Sequence, residues 1–265
     1  MMDVFKRNNV RILGHGAHTL VFVNGFGCDQ TIWRYLTPAF SEHCRLVLYD
    51  HVGSGLSDTA AYEPARYASL DGYALDLLDI CQQLALEQVT LIGHSVGAMI
   101  GMLAAIREPH YFQQLLLLCP SPCYLNEGGY HGGFERQDLE QLLNFMDTDF
   151  VGWADYITPF IMGNPDRPSL TAELAHSFCQ NDPAIARQFA RLTFLGDNRA
   201  DVAQCHTPCL LVQCAEDVIA PLEVGDYLQA CLPHARLITL PVAGHCPHVS
   251  APSETLSALE SYMAA

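Results

Sequence analysis

Val89-Thr90-Leu91-Ile92 runs into Gly93-His94-Ser95-Val96-Gly97, and the chain leaves through the apolar stretch 98–106. An apolar run, a Gly-x-Ser-x-Gly turn and an apolar helical pattern read as strand, sharp turn and helix. Such a turn forces its serine into strained backbone geometry, and small residues on both sides avoid clashes. The reading places Ser95 above the carboxyl edge of a sheet. It also sets Ser95 at the start of a helix, whose free N–H groups favour an anion there.

Working outward, short apolar runs at 20–24, 45–49, 115–119, 210–214 and 237–240 resemble 89–92. Near-continuous apolar runs are expected of parallel strands buried on both faces. Helical stripes lie between them: Leu70, Tyr73, Leu77, Cys81 and Leu84; Val224, Leu228 and Cys231; Leu256, Leu259 and Met263. The alternation predicts a doubly wound, mostly parallel α/β sheet, with residues 4–10 and 11–13 as an antiparallel edge hairpin. It breaks at 125–195, where four helical stripes run without a strand. Asp182-Pro183 marks the last of these helices as an N-cap followed by a first-turn proline. The stretch is too long for an ordinary crossover. It reads as an inserted helical lid over a core made of 1–124 and 196–265. Gly128, Gly129, Gly132 and Gly133 at its entrance would let it move.

A serine hydroxyl needs a base to take its proton, and a histidine base needs a carboxylate to orient it. In this arrangement the acid and then the histidine follow the serine along the chain. Asp217 comes just after the run 210–214 and His245 just after 237–240, so both hang from the edge that carries Ser95. Glu216 adjoins Asp217 and is expected to point away. His248 is the competing base, but the Gly244-His245 turn favours His245. His94 is expected to pack beneath the turn. An oxyanion hole needs two N–H donors. The amide of Val96 is one, and Asn24-Gly25-Phe26-Gly27 offers Phe26 as the other. Phe134, Trp153, Phe160, Phe178, Phe189 and Phe194 lie in or beside the lid helices. With Phe26 they are expected to wall an apolar substrate pocket.

Composition narrows the function. The chain has 265 residues, 13 Lys+Arg against 29 Asp+Glu, and a net charge of −16. That balance argues against nucleic acid and anionic membrane surfaces as partners. No apolar stretch is long enough to span a bilayer, and the first residues carry no apolar signal run. The 11 cysteines then read as reduced thiols of a cytoplasmic protein. Cys205, His206 and Cys209 lack a second ligand pair, so no metal is expected. Asp50-His51-Val52-Gly53-Ser54-Gly55 lacks the third glycine of a dinucleotide loop, so no cofactor is implied.

Gly25-Phe26-Gly27-Cys28-Asp29-Gln30, Tyr49–Gly55, Gly93–Ala98, Pro120-Ser121-Pro122-Cys123-Tyr124-Leu125-Asn126 and Gly244-His245-Cys246-Pro247-His248 carry a resemblance. From end to end the chain is similar to the α/β-hydrolase superfamily. More narrowly, it resembles the RsbQ family of sigma-B stress-response regulators, relatives of the plant karrikin and strigolactone receptors. The resemblance implies a Ser95–Asp217–His245 triad, an oxyanion hole at Phe26 and Val96, and a V-shaped four-helix lid. It also implies slow hydrolysis of a small hydrophobic compound, an ester or lactone for this triad, coupled to signalling through a phosphatase partner. Because the lid is an insertion whose outer face owes nothing to the sheet core, it is the surface on which such a partner is expected to dock. Asn24 departs from the His that many α/β-hydrolases have there. A metabolic carboxylesterase or lactonase without a protein partner would use the same triad, so both readings stand.

Overall fold

Val21, Leu46, Leu91, Leu116 and Leu211 each centre an apolar run, and all are fully buried. Strands of that kind must be covered on both faces, which calls for helices above and below. A computed structural model describes residues 3–264. Met1, Met2 and Ala265, at the margins of the expected core, lie outside the described residues. The chain runs α1 (Val4–Arg7), β1 (Arg11–Leu13), β2 (His18–Val23), α2 (Thr37–Ser41), β3 (Cys44–Leu48), α3 (Leu70–Gln83), β4 (Val89–His94) and α4 (Val96–Arg107). After β5 (Phe112–Leu118) come α5 (Arg136–Thr148), α6 (Phe150–Met162), α7 (Pro168–Cys179), α8 (Pro183–Leu195) and the short α9 (Arg199–Val202). The rest is β6 (Cys209–Glu216), α10 (Leu222–Cys231), β7 (Ala235–Ala243), α11 (Pro247–Ser250) and α12 (Pro252–Met263).

The sheet order is β1-β3-β2-β4-β5-β6-β7. Only β1 is antiparallel, against β3. From β2 the chain steps outward to β3, then returns to β4 on the other side. The carboxyl ends of the paired β2 and β4 therefore flank the point where the strand order reverses, which is where open α/β sheets bind ligands. Among the described residues no helix is long and apolar enough to cross a membrane.

Two expectations about the edges are corrected. Residues 4–10 do not form a hairpin strand. Asp3 caps a helical turn at Val4–Arg7, and the buried Arg7 reaches Asp79 at 2.7 Å on α3. That ion pair turns the segment onto the helix face instead of the sheet edge. The second concerns 237–240. As an outer strand β7 is covered less than its neighbours: Leu237 and Ile238 are only half-buried and Thr239 is exposed.

Helices α5–α8 stand between β5 and β6. Asp149 accepts from Gly152 N–H at 2.9 Å to start α6, and Asp182 accepts from Ala184 and Ile185 N–H to start α8. These caps satisfy amides that a helix start leaves without partners. Leu139, Leu143, Trp153, Ile157 and Phe178 point inward and join the same apolar cluster as the strands. The glycines at the entrance form a tied turn. Asn126 Oδ1 accepts from Gly132 and Gly133 N–H at 3.0 and 2.9 Å, and Glu127 closes onto Tyr130.

Candidate active site

The elbow after β4 holds Ser95 at φ 54°, ψ −124°, a backbone region that a residue with a side chain rarely visits. Its N–H is pinned to Leu118 O at 2.9 Å. The two glycines of the pentapeptide are required by close approach. A Cβ on Gly97 would lie 2.3 Å from Asn24 O and 2.4 Å from Val23 O. A Cβ on Gly93 would lie 2.8 Å from the Ala98 Cα. Backbone packs against backbone at both places, so nothing larger fits.

Three predicted residues converge here. Asp217, in the turn after β6, accepts from Ile219 N–H at 2.8 Å and Ala220 N–H at 3.2 Å through Oδ1. Its Oδ2 lies 2.7 Å from His245 Nδ1. Burial pushes this carboxyl upward, but His245 and the two amides outweigh burial and hold it below the usual carboxylate value. The carboxylate is therefore ionised and can only accept, so the His245 proton sits on Nδ1. In the neutral imidazole, the form that can act as a base, Nε2 is then bare, 2.8 Å from Ser95 Oγ, and the serine hydroxyl donates to it. All three side chains are buried.

The loop carrying His245 is tied down from three sides. Its N–H donates to Ile161 O of α6 at 2.8 Å, Gly244 N–H donates to Glu216 O, and its own carbonyl accepts from His94 Nε2 at 2.7 Å. His94 thus supports the loop from beneath. Burial first, and then the proximity of His245, lower its pKa to about 3, so it stays neutral. His248 is buried against Trp33 and His94, at 4.7 and 4.4 Å between ring centroids, and hydrogen-bonds to neither Ser95 nor Asp217. The side chain of Glu216 is exposed.

Val96 opens α4, so its N–H has no acceptor inside the helix. The Phe26 N–H lies in the loop after β2 and makes no backbone hydrogen bond among the described residues. A narrow cavity lies over Ser95 and His245. Phe26, Phe134, Phe178 and Phe194 line it. Trp153 and Phe189 instead back its wall: Phe26 meets Trp153 edge-on at 6.1 Å and packs on Phe189 at 5.6 Å. Phe160 is corrected. It is 51% exposed and packs on Tyr156 on the outside of α6. The buried neighbour is Ile161, and one residue turns a helix by about 100°.

Several lining residues escaped the sequence reading. Leu139, Leu142, Ile157, Ile161 and Leu174 share helical stripes with core residues, so nothing local separates the two roles. Cys28 and Cys246 flank the two site loops. Burial raises both thiols, Cys28 to about 12, so they line the cavity as neutral groups. Tyr124, in the quoted segment 120–126, places its phenol oxygen 3.2 Å from Ser95 Oγ. Cys119, Asp217 and His245 bring possible ligand atoms within 4.8 Å of one another. Asp217 and His245 are already engaged with each other, and burial keeps the Cys119 thiol protonated. This donor set therefore suits hydrogen bonding better than metal ligation.

The alpha/beta hydrolase family model matches residues 20–259. A karrikin insensitive 2 receptor of Petunia hybrida is 34% identical over 260 residues, covering 98% of this chain and 95% of the receptor. A strigolactone esterase of Arabidopsis thaliana is 35% identical over 253 residues, covering 95% and 94%. The solved structure of a hydrolase from Oleispira antarctica is 40% identical, with a TM-score of 0.96 over 99% of this chain and 96% of that one. The chain belongs to the alpha/beta hydrolase family.

Proposed function

We propose that this protein is a serine hydrolase that cleaves small hydrophobic esters or lactones through Ser95, His245 and Asp217. The observation that carries the reading is the Asp217–His245–Ser95 hydrogen-bond chain, at 2.7 and 2.8 Å, under an apolar cavity. His245 Nε2 takes the Ser95 proton as Oγ attacks the acyl carbon. Asp217 stabilises the imidazolium that forms and keeps its ring in place. The amides of Phe26 and Val96 face the developing oxyanion. His245 then gives its proton to the leaving alcohol, and water repeats the sequence on the acyl-enzyme. A cavity walled by phenyl rings and leucines favours apolar acyl groups and disfavours dicarboxylates, whose extra charge would lose its water.

The proposal extends to signalling. Residues 125–195 act as a lid that closes over bound ligand, turnover is slow, and a protein partner reads the closed state. Receptor relatives matched along almost their whole length support this, as does an exposed apolar group on α6 made by Val151, Tyr156 and Phe160. The family resemblance points to a phosphatase of a stress pathway as the partner. A metabolic carboxylesterase is the alternative.

One experiment addresses both parts. Hydrolysis of p-nitrophenyl butyrate is measured beside a panel of lactones, with mass spectrometry for a retained acyl group. Turnover below about one per second, together with an adduct on Ser95, supports the receptor reading. Turnover across the ordinary range of about 1–1000 per second supports the metabolic one. Undiminished hydrolysis by Ser95→Ala would remove both.

A further inference from the structure

Among the described residues Ser95 Oγ has two side-chain hydrogen-bond partners, and the triad accounts for only one of them. The other is Tyr124, whose phenol oxygen lies 3.2 Å away. Tyr124 is buried, its ring meets Phe194 edge-on at 5.3 Å, and its carbonyl accepts from Phe134 N–H at 3.0 Å. The direction of the hydrogen bond follows from the proton inventory. Asp217 is ionised, so His245 carries its proton on Nδ1; Nε2 is bare, so Ser95 donates its only proton there. A phenol in this buried place keeps its own proton, and Ser95 Oγ is left as the acceptor.

We propose that Tyr124 is a further catalytic residue, whose O–H donates to Ser95 Oγ and supports that oxygen as the leaving group when the acyl-enzyme is hydrolysed. This rests on the hydrolase reading above. In acylation the hydrogen bond has two opposed effects. It eases loss of the serine proton, yet it occupies a lone pair of the attacking oxygen. In deacylation the effects do not oppose. Water adds to the acyl carbon and gives its proton to His245. The carbon–Oγ bond then breaks, its electron pair goes to Oγ, and the imidazolium proton follows. Charge collects on Oγ throughout the bond cleavage, and Tyr124 is already oriented towards it. Hydrogen bonds to charged partners are among the stronger ones in proteins.

The test is Tyr124→Phe, which keeps the ring and its packing. Stopped-flow release of p-nitrophenol from p-nitrophenyl acetate separates acylation from deacylation. The expected result is a steady-state rate lowered about tenfold. A burst should rise towards one p-nitrophenol per site, and mass spectrometry should find acetyl on Ser95. An unchanged steady state with no new burst, or slowed acylation with no accumulating acetyl-enzyme, would overturn the proposal. A purely structural tyrosine would lower the Tm without changing the burst. If Tyr124→Phe does not fold, 3-fluorotyrosine at position 124 supplies a stronger donor of nearly the same shape. Acetyl-enzyme should then decay faster, and unchanged decay counts against the proposal. Ser95→Ala in the same assay shows no burst if the hydrolase reading holds. A burst that survives it defeats that reading and overturns the role of Tyr124 with it, whereas a burst lost in Ser95→Ala but unchanged in Tyr124→Phe overturns the role of Tyr124 alone.

Discussion

The floor and the roof of the cavity are held by different forces. The floor is made of loops at the carboxyl ends of β2, β4, β6 and β7. There backbone meets backbone: Gly97 leaves no space for a Cβ, Ser95 is held at positive φ, and the His245 loop is tied by three hydrogen bonds. The roof, α5–α8, is held by side chains packing on side chains, with Trp153 stacked on Phe178 at 5.7 Å and both against Phe26. A backbone contact tolerates no added atom, whereas a side-chain contact can repack if volume is kept. The floor should therefore respond to substitution all or nothing and the roof by degrees.

The largest effect tests the floor's chemistry. Ser95→Ala should lower kcat/KM for p-nitrophenyl butyrate by at least about a thousandfold, with the circular dichroism spectrum retained. Near-wild-type activity in folded protein would sink the assignment. Next comes the floor's geometry. Gly97→Ala should cost about 3 kcal/mol in urea unfolding, at the upper end of overpacking penalties. A cost below about 1 kcal/mol would show that the elbow can yield.

The roof supplies the graded counterpart. Phe178→Leu should cost less than about 1.5 kcal/mol if neighbours repack, and it should change KM for bulky acyl groups more than kcat. A collapse as severe as that of Gly97→Ala would erase the distinction.

His51 lies at the junction, with Nε2 at 2.9 Å from Asn24 O of the floor and its ring edge-on to Phe189 of the roof. Burial lowers its pKa from 6.5 to about 4, the Asn24 hydrogen bond opposing in part. A lowered histidine pKa means that the unfolded chain binds the proton first. Its contribution to stability is complete above about pH 6.5 and is lost as pH falls towards 4. The Tm of His51→Phe should then fall less steeply than that of wild type between pH 7 and 4.5. Parallel slopes would mean that His51 does not report on the junction. The smallest effect belongs to the outer face. Phe160→Ser should change stability by less than about 0.5 kcal/mol and leave KM unaltered.

Legibility in the sequence follows the same division. The elbow could be read because its strained turn demands small residues at fixed spacing, Gly93 against the nearby Ala98 and Gly97 against Val23 and Asn24 at the end of β2. The strands could be read because burial on both faces leaves an uninterrupted apolar run. The four helices between β5 and β6 showed their stripes, but a stripe does not say whether it faces another helix or a cavity. Leu142 and Phe160 illustrate the difficulty: the first lines the cavity and the second faces solvent. The stretch 4–10 departs from the expected hairpin arm because its conformation depends on Arg7 finding Asp79 on α3, a contact 72 residues away in sequence.

By itself the sequence determined the alternation of strands and helices, the serine turn, and a short set of acids and histidines due at one sheet edge. Those features rest on periodicity and on the small residues that a sharp turn demands, both of which are written in the sequence itself. Only the tertiary structure decided which of these groups touch. Ser95 and His245 are 150 residues apart, yet they meet at 2.8 Å because β4 and the loop after β7 end on the same side of the sheet. The placement of Tyr124 on the serine oxygen was also decided there. A phenol in a loop carries no periodic or steric signature, and its partner is set by how the strand ends are stacked.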